Sequence, residues 1–133
     1  MSRRLALKAG AIAALALGAF SAPALAQASL AMLDTLRAGS WELRFRDGAT
    51  PRKICLRNGR ELLQLQHGGK TCNRFVVEDG ASAVTVQYTC RGDGYGRTTI
   101  RRENKELVQI TSQGISGGKP FQITAEARRT GGC

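Results

Sequence analysis

Cys72-Asn73-Arg74-Phe75-Val76-Val77-Glu78-Asp79-Gly80-Ala81-Ser82-Ala83-Val84-Thr85-Val86-Gln87-Tyr88-Thr89-Cys90 carries the strongest β signal in the chain. Two runs rich in Val, Thr, Phe and Tyr flank Glu78-Asp79-Gly80. Those side chains pack well on a pleated, half-buried surface, and Asp-Gly supplies the positive φ that tight hairpin turns require. Folding the chain about position 81 sets Cys72 opposite Cys90, so the stretch reads as a disulfide-clamped β-hairpin. Regular pairing places Cys72, Arg74, Val76 and Glu78 on one face with Val84, Val86, Tyr88 and Cys90, and turns Phe75 and Val77 to the other. Two arrangements accommodate that: a bulge near Asn73–Arg74, which flips every side chain beyond it, or a sheet buried on both faces.

Strand signals continue on both sides of the hairpin. Upstream, Ser40-Trp41-Glu42-Leu43-Arg44-Phe45-Arg46-Asp47 alternates, with Trp41, Leu43 and Phe45 on one face and Glu42, Arg44 and Arg46 on the solvent face. A turn over residues 48–51 leads into a short strand, Arg52-Lys53-Ile54-Cys55-Leu56. Asn58 and Glu61 have the spacing of a helix cap, which predicts a short helix over residues 59–66, ended by His67-Gly68-Gly69. Leu30, Leu33 and Leu36 recur at helical spacing after Ser29, which predicts a short packing helix there. Downstream, strands are expected over residues 94–102, 106–113 and 119–129, the last with Phe121, Ile123, Ala125 and Ala127 on one face. Short strands with turn signals this often indicate a mainly β domain. The expected architecture is an antiparallel meander forming a strongly curved sheet or small barrel, with one or two short helices.

Residues 1–26 read as an export signal. Arg3, Arg4 and Lys8 precede an uncharged apolar run, and Ala24-Leu25-Ala26 is a small-x-small cleavage site before Gln27. The apolar run is short and alanine-rich for a span of roughly 30 Å of hydrocarbon. Ser2-Arg3-Arg4-Leu5-Ala6-Leu7-Lys8 resembles a twin-arginine signal with Ala6 in place of the usual phenylalanine, which leaves the export route open between Sec and twin-arginine. The domain reading is thus a signal peptide at 1–26, a short helix or linker at 27–38 and a disulfide-stapled β domain at 39–133. The expected location is the periplasm.

An oxidising compartment suits the cysteines, which are even in number: Cys55, Cys72, Cys90 and Cys133. Three pairings are possible; the hairpin favours Cys72–Cys90, which leaves Cys55–Cys133. Zinc is a poor reading, because no C-x-x-C pair occurs and there is one histidine. The full chain carries 20 Lys and Arg against 10 Asp and Glu. Three of the basic residues lie in the leader, so the remainder has a net charge of +7. Most of those cations are arginines, whose planar fork binds carboxylates and phosphates bidentately. A cationic exported protein associates with anionic surfaces such as lipid A phosphates or anionic glycans, although a solvated surface has the same composition. Arg44 and Arg46 share a face and are the candidate anion-binding residues, whereas Arg101 and Arg102 point oppositely.

Catalytic signals are weak. His67 sits in a Gly-rich turn and reads as an exposed turn histidine, with no marked nucleophile or acid beside it. No G-x-S-x-G, phosphate-loop or H-E-x-x-H pattern occurs, and no cofactor is implied. Arg91-Gly92-Asp93 matches an adhesion tripeptide at chance level, and Asp93 lacks the further acidic ligands that calcium needs. Aromatics for base stacking are scarce, which argues against nucleic acid.

Several pieces occur in order: Gly39-Ser40-Trp41-Glu42, then Ile54-Cys55-Leu56, then the Cys72…Gly80…Cys90 hairpin, and finally Arg128-Arg129-Thr130-Gly131-Gly132-Cys133. Together they resemble the small exported proteobacterial proteins grouped as domain of unknown function 3617. The resemblance covers about residues 39–133 and implies a periplasmic β protein with no assigned activity, so no catalytic residue is carried over. That family often has a Met- and Pro-rich insertion after the first strand, where this chain has a short turn from Asp47 to Pro51. The functional expectation is a binding module for an anionic envelope component or a small ligand. The alternative is an inhibitor or accessory protein of an envelope enzyme, and an enzyme ranks last. Charge repulsion argues against a basic, lysozyme-type target.

Overall fold

The computed structural model describes residues 28–133, so the expected leader lies outside the described residues. The elements are one short helix, α1 (Ala31–Asp34), and seven strands. These are β1 (Gly39–Phe45), β2 (Arg52–Leu56), β3 (Cys72–Asp79), β4 (Ala83–Cys90), β5 (Gly94–Asn104), β6 (Leu107–Ser116) and β7 (Lys119–Gly131). All seven form one antiparallel sheet in the order β2-β1-β7-β6-β5-β4-β3. The sheet does not close into a barrel: β2 and β3 are its two edges.

Both disulfides form as the hairpin implies, Cys72–Cys90 and Cys55–Cys133, with Cα separations of 4.2 and 5.8 Å. Cys72 pairs directly with Cys90, and Arg74 with Tyr88 and Val76 with Val86 follow in register. The irregularity lies between Val76 and Glu78, at Val77, and not near Asn73–Arg74. Nor is the hairpin buried on both faces throughout. Phe75 and Val77 stand 70% and 42% exposed, because nothing packs over the outer face of β3. The bulge returns Asp79 opposite Val84, ahead of the turn.

The inner face carries the core. Trp41 and Leu43 from β1, Val84 and Val86 from β4, Ile100 from β5 and Ile110 from β6 are fully buried there. Met32 and Leu33 of α1, with Leu62, Leu63 and Leu65, cover that face. The helix expected from Leu30 to Leu36 is only four residues long, yet all three leucines are buried as expected. Ser29 does not cap it. Leu30 takes a left-handed conformation (φ 55°), and Asp79 Oδ2 accepts hydrogen bonds from the Ser29 and Leu30 amides. The helix expected over residues 59–66 is two 3-10 turns, Arg60–Leu62 and Leu65–His67. At the first of these turns Asn58 Oδ1 nevertheless accepts from the Arg60 amide at 3.1 Å, and Glu61 accepts from the Arg57 and Asn58 amides, as the Asn58–Glu61 spacing implies.

One row across the inner face shows how distant residues fit. Tyr88, Gly96, Gly114 and Phe121 are successive partners on β4, β5, β6 and β7. A Cβ on Gly96 would stand 2.4 Å from Tyr88 Oη, so the glycine is required by the ring that lies against it. His67 packs edge-on against both aromatic rings of this row, with centroids 5.3 Å from Tyr88 and 5.8 Å from Phe121. Its Nδ1 is 3.0 Å from Tyr88 Oη and its Nε2 3.2 Å from the Asp93 carbonyl oxygen. His67 is therefore a core residue, 1% exposed, and not the exposed turn histidine that its glycine neighbours suggest. Burial pushes the Tyr88 phenol above its ordinary range.

Candidate functional site

Strand alternation sends polar residues to the outer face, and register assembles them into rows. The first row is Arg44 on β1, Glu126 on β7, Gln109 on β6 and Arg101 on β5. The second begins at Arg46, whose amide donates to the Thr124 carbonyl, and continues through Thr124, Thr111, Thr99 and Thr85. The third is Gln122, Gln113, Arg97, Gln87 and Phe75. Neighbouring strands lie about 4.8 Å apart, so each row presents hydrogen-bonding groups at that repeat. Arg44, Arg46, Arg101, Thr99, Thr111 and Thr124 line a shallow depression of about 720 Å³ on this face.

The two sequence-predicted residues, Arg44 and Arg46, do share this depression, and β5 adds Arg101. Arg97 lies one row further on and lines an adjoining hollow with Thr99, Thr111, Gln113 and Gln122. Arg102 points the other way and donates to Thr35 Oγ1. Carboxylates stand among these cations. Arg44 Nε is 2.7 Å from Glu42 Oε1, which raises the Arg44 pKa, Arg101 is 3.3 Å from Glu103, and Arg128 is 3.3 Å from Glu126. Exposed pairs of this kind are screened by solvent and weak, so an incoming anion can exchange with them at small cost. Arg46 and Arg97 have no ionic partner among the described residues.

The threonine and glutamine rows were not singled out from the sequence. Their signal was present, since each threonine adjoins an inward-facing residue of its strand, but only the strand order shows that the four are neighbours. Arg52 and Arg60 go elsewhere: they line a cleft beside β2 together with Arg74 of β3. Asp93 of the Arg-Gly-Asp turn faces Lys70 at 3.5 Å. Among the described residues no group of three His, Cys, Asp or Glu side chains is placed to hold a metal ion, and no helix is long and apolar enough to cross a membrane. Comparison of the chain with family models, with curated proteins and with solved structures returns no match.

Proposed function

We propose that this protein is a periplasmic, disulfide-stapled β-sheet binding module whose outer face engages an anionic component of the cell envelope. One observation carries the reading: Arg44, Arg46, Arg101 and Arg97 lie on a single broad face with threonine and glutamine donors between them. The face is shallow, which suits an extended polyanion or a phosphate-bearing lipid surface better than a small enclosed molecule. Guanidinium forks supply charge and bidentate geometry, while the hydroxyl and carboxamide rows supply neutral hydrogen bonds at the strand repeat. No reaction is assigned to it. The resemblance to an exported family without known activity agrees with this reading, as do two disulfides, which persist in oxidising compartments.

The test is binding to lipid A vesicles and to an anionic glycan at two salt concentrations. Counterion release and screening predict a steep loss of affinity with salt. Arg44→Gln with Arg46→Gln should weaken binding while leaving the fold intact, since both side chains face solvent. Binding that ignores salt and the double variant would overturn the proposal.

A second reading, an inhibitor or accessory protein of an acidic envelope enzyme, is favoured by the exposed Phe75 and Val77 beside the unpaired edge of β3. Its test is Phe75→Ser with Val77→Ser. Loss of retention on an acidic hydrolase, with no polyanion binding by the wild type, would put this reading first.

A further inference from the structure

We infer that the cleft between the two open edges of the sheet is a second binding site, separate from the outer face, for a small organic phosphate or carboxylate with an aliphatic flank. The sheet fails to close between β2 and β3, and the chain from Arg57 to Thr71 bridges the gap. The result is a cleft of about 600 Å³, within the range of about 300–1,000 Å³ usual for small-molecule sites. Arg52 enters from β2 and Arg74 from β3, so the two opposite edges each contribute a guanidinium.

Neither arginine is neutralised, and Arg74 is also held in place. Arg74 Nη2 donates to Gln64 Oε1 at 2.8 Å. Gln64 is itself buried and fixed, because its Nε2 donates to the Lys70 carbonyl at 2.7 Å and the His67 carbonyl at 3.0 Å. Arg52 Nη2 reaches the Leu65 carbonyl at 3.5 Å, which leaves nearly all its donors free. Neither Arg52 nor Arg74 has an ionic partner among the described residues. Arg60 on the rim is already committed to Asp34 at 2.6 Å, and holds that carboxyl below its usual range. The one carboxylate in the lining, Glu61, is occupied by the Arg57 and Asn58 amides. Two guanidinium forks with most of their donors unused, one of them braced on Gln64, match the oxygens of a phosphate or carboxylate. Ile54 and Leu65, beside them, give an aliphatic flank something to cover.

Titration calorimetry with octyl phosphate, octanoate, inorganic phosphate and octanol tests this. Octyl phosphate or octanoate should bind at least about tenfold tighter than inorganic phosphate or octanol, and the better of the two identifies the head group. Arg52→Gln with Arg74→Gln should lose about tenfold or more, as expected for charge-assisted hydrogen bonds, while Lys105→Gln, exposed at the β5–β6 turn and in the lining of neither site, binds like wild type. Because Arg74 braces Gln64, Arg52→Lys with Arg74→Lys serves as the second variant: it keeps charge and a donor, loses the fork, and should bind with intermediate affinity. Absence of binding at millimolar concentration, equal affinity for inorganic phosphate or octanol, or wild-type affinity in a folded Gln double variant would overturn the inference.

Discussion

Removing the two disulfides one at a time tests whether the staples act through the unfolded chain or through native packing. Cys55 and Cys133 are 78 residues apart, Cys72 and Cys90 only 18. The chain-entropy model of loop closure assigns about 4.5 kcal/mol to the long loop and about 3 kcal/mol to the short one. Burial ranks them the other way, since Cys90 lies in the sheet interior while Cys55 and Cys133 are at the surface. Alanine at position 90 removes a single sulfur from a covered site, so loop length should prevail. Cys55→Ala with Cys133→Ala is expected to lose about 1.5 kcal/mol more than Cys72→Ala with Cys90→Ala. Both losses are large beside a total stability of about 5–15 kcal/mol for a single domain. Urea denaturation followed by the emission of Trp41, the one tryptophan and fully buried, measures them. Extrapolated free energies rather than midpoints are compared, because cutting a cross-link expands the denatured chain and raises m. An equal or greater loss from the hairpin pair would refute the loop-length reasoning and assign the clamp to packing around Cys72, whose sulfur lies 3.5 Å from Gln64 Nε2.

Three further outcomes are expected. Gly96→Ala forces a methyl group into the Tyr88 ring and should cost about 1–3 kcal/mol; in a double-mutant cycle with Tyr88→Leu the penalties should be strongly non-additive. The raised Tyr88 pKa makes folding stability complete below the phenol's unfolded value, near 10, and lost as pH rises through the folded value; alkaline unfolding should be measurably shallower in Tyr88→Phe. Protein recovered from the native envelope should begin at Gln27 by intact mass, and a retained Met1 would defeat the export reading.

The hairpin is legible because two cysteines equidistant from Ala81, just past Asp-Gly, pin its register, and register fixes which side chains share a face. Alternation alone placed Arg44 and Arg46 together and gave β1 its buried Trp41 and Leu43. Neither arrangement expected for Phe75 and Val77 holds, because apolar character does not by itself bring burial: the outer face of β3 is left uncovered, and the bulge falls at Val77. His67 departs from expectation for a different reason. Its local setting, Gln66-His67-Gly68-Gly69, is turn chemistry, and what buries it is a row whose members lie on four strands. Likewise no local signal says that β1 lies beside β7. Without that pairing, Arg101 and Arg97 have no relation to Arg44 and Arg46, whereas the threonine row needs only the register of the successive strands β4 to β7.

The position of β1 between β2 and β7 also bears on how the chain comes together. Hairpins between successive strands form early, while a pair that spans most of the chain must await closure of a long loop. β1 and β2, and the run from β3 to β6, can therefore organise while one side of β1 stays unpaired until β7 arrives. Throughout that interval Cys55 has Cys72 and Cys90 as available but incorrect partners, and Cys133 is not yet in place. Oxidative maturation is then governed less by the speed of the first sulfur–sulfur bond than by how readily a premature one is exchanged. A thiol–disulfide isomerase should accelerate it more than an oxidant does.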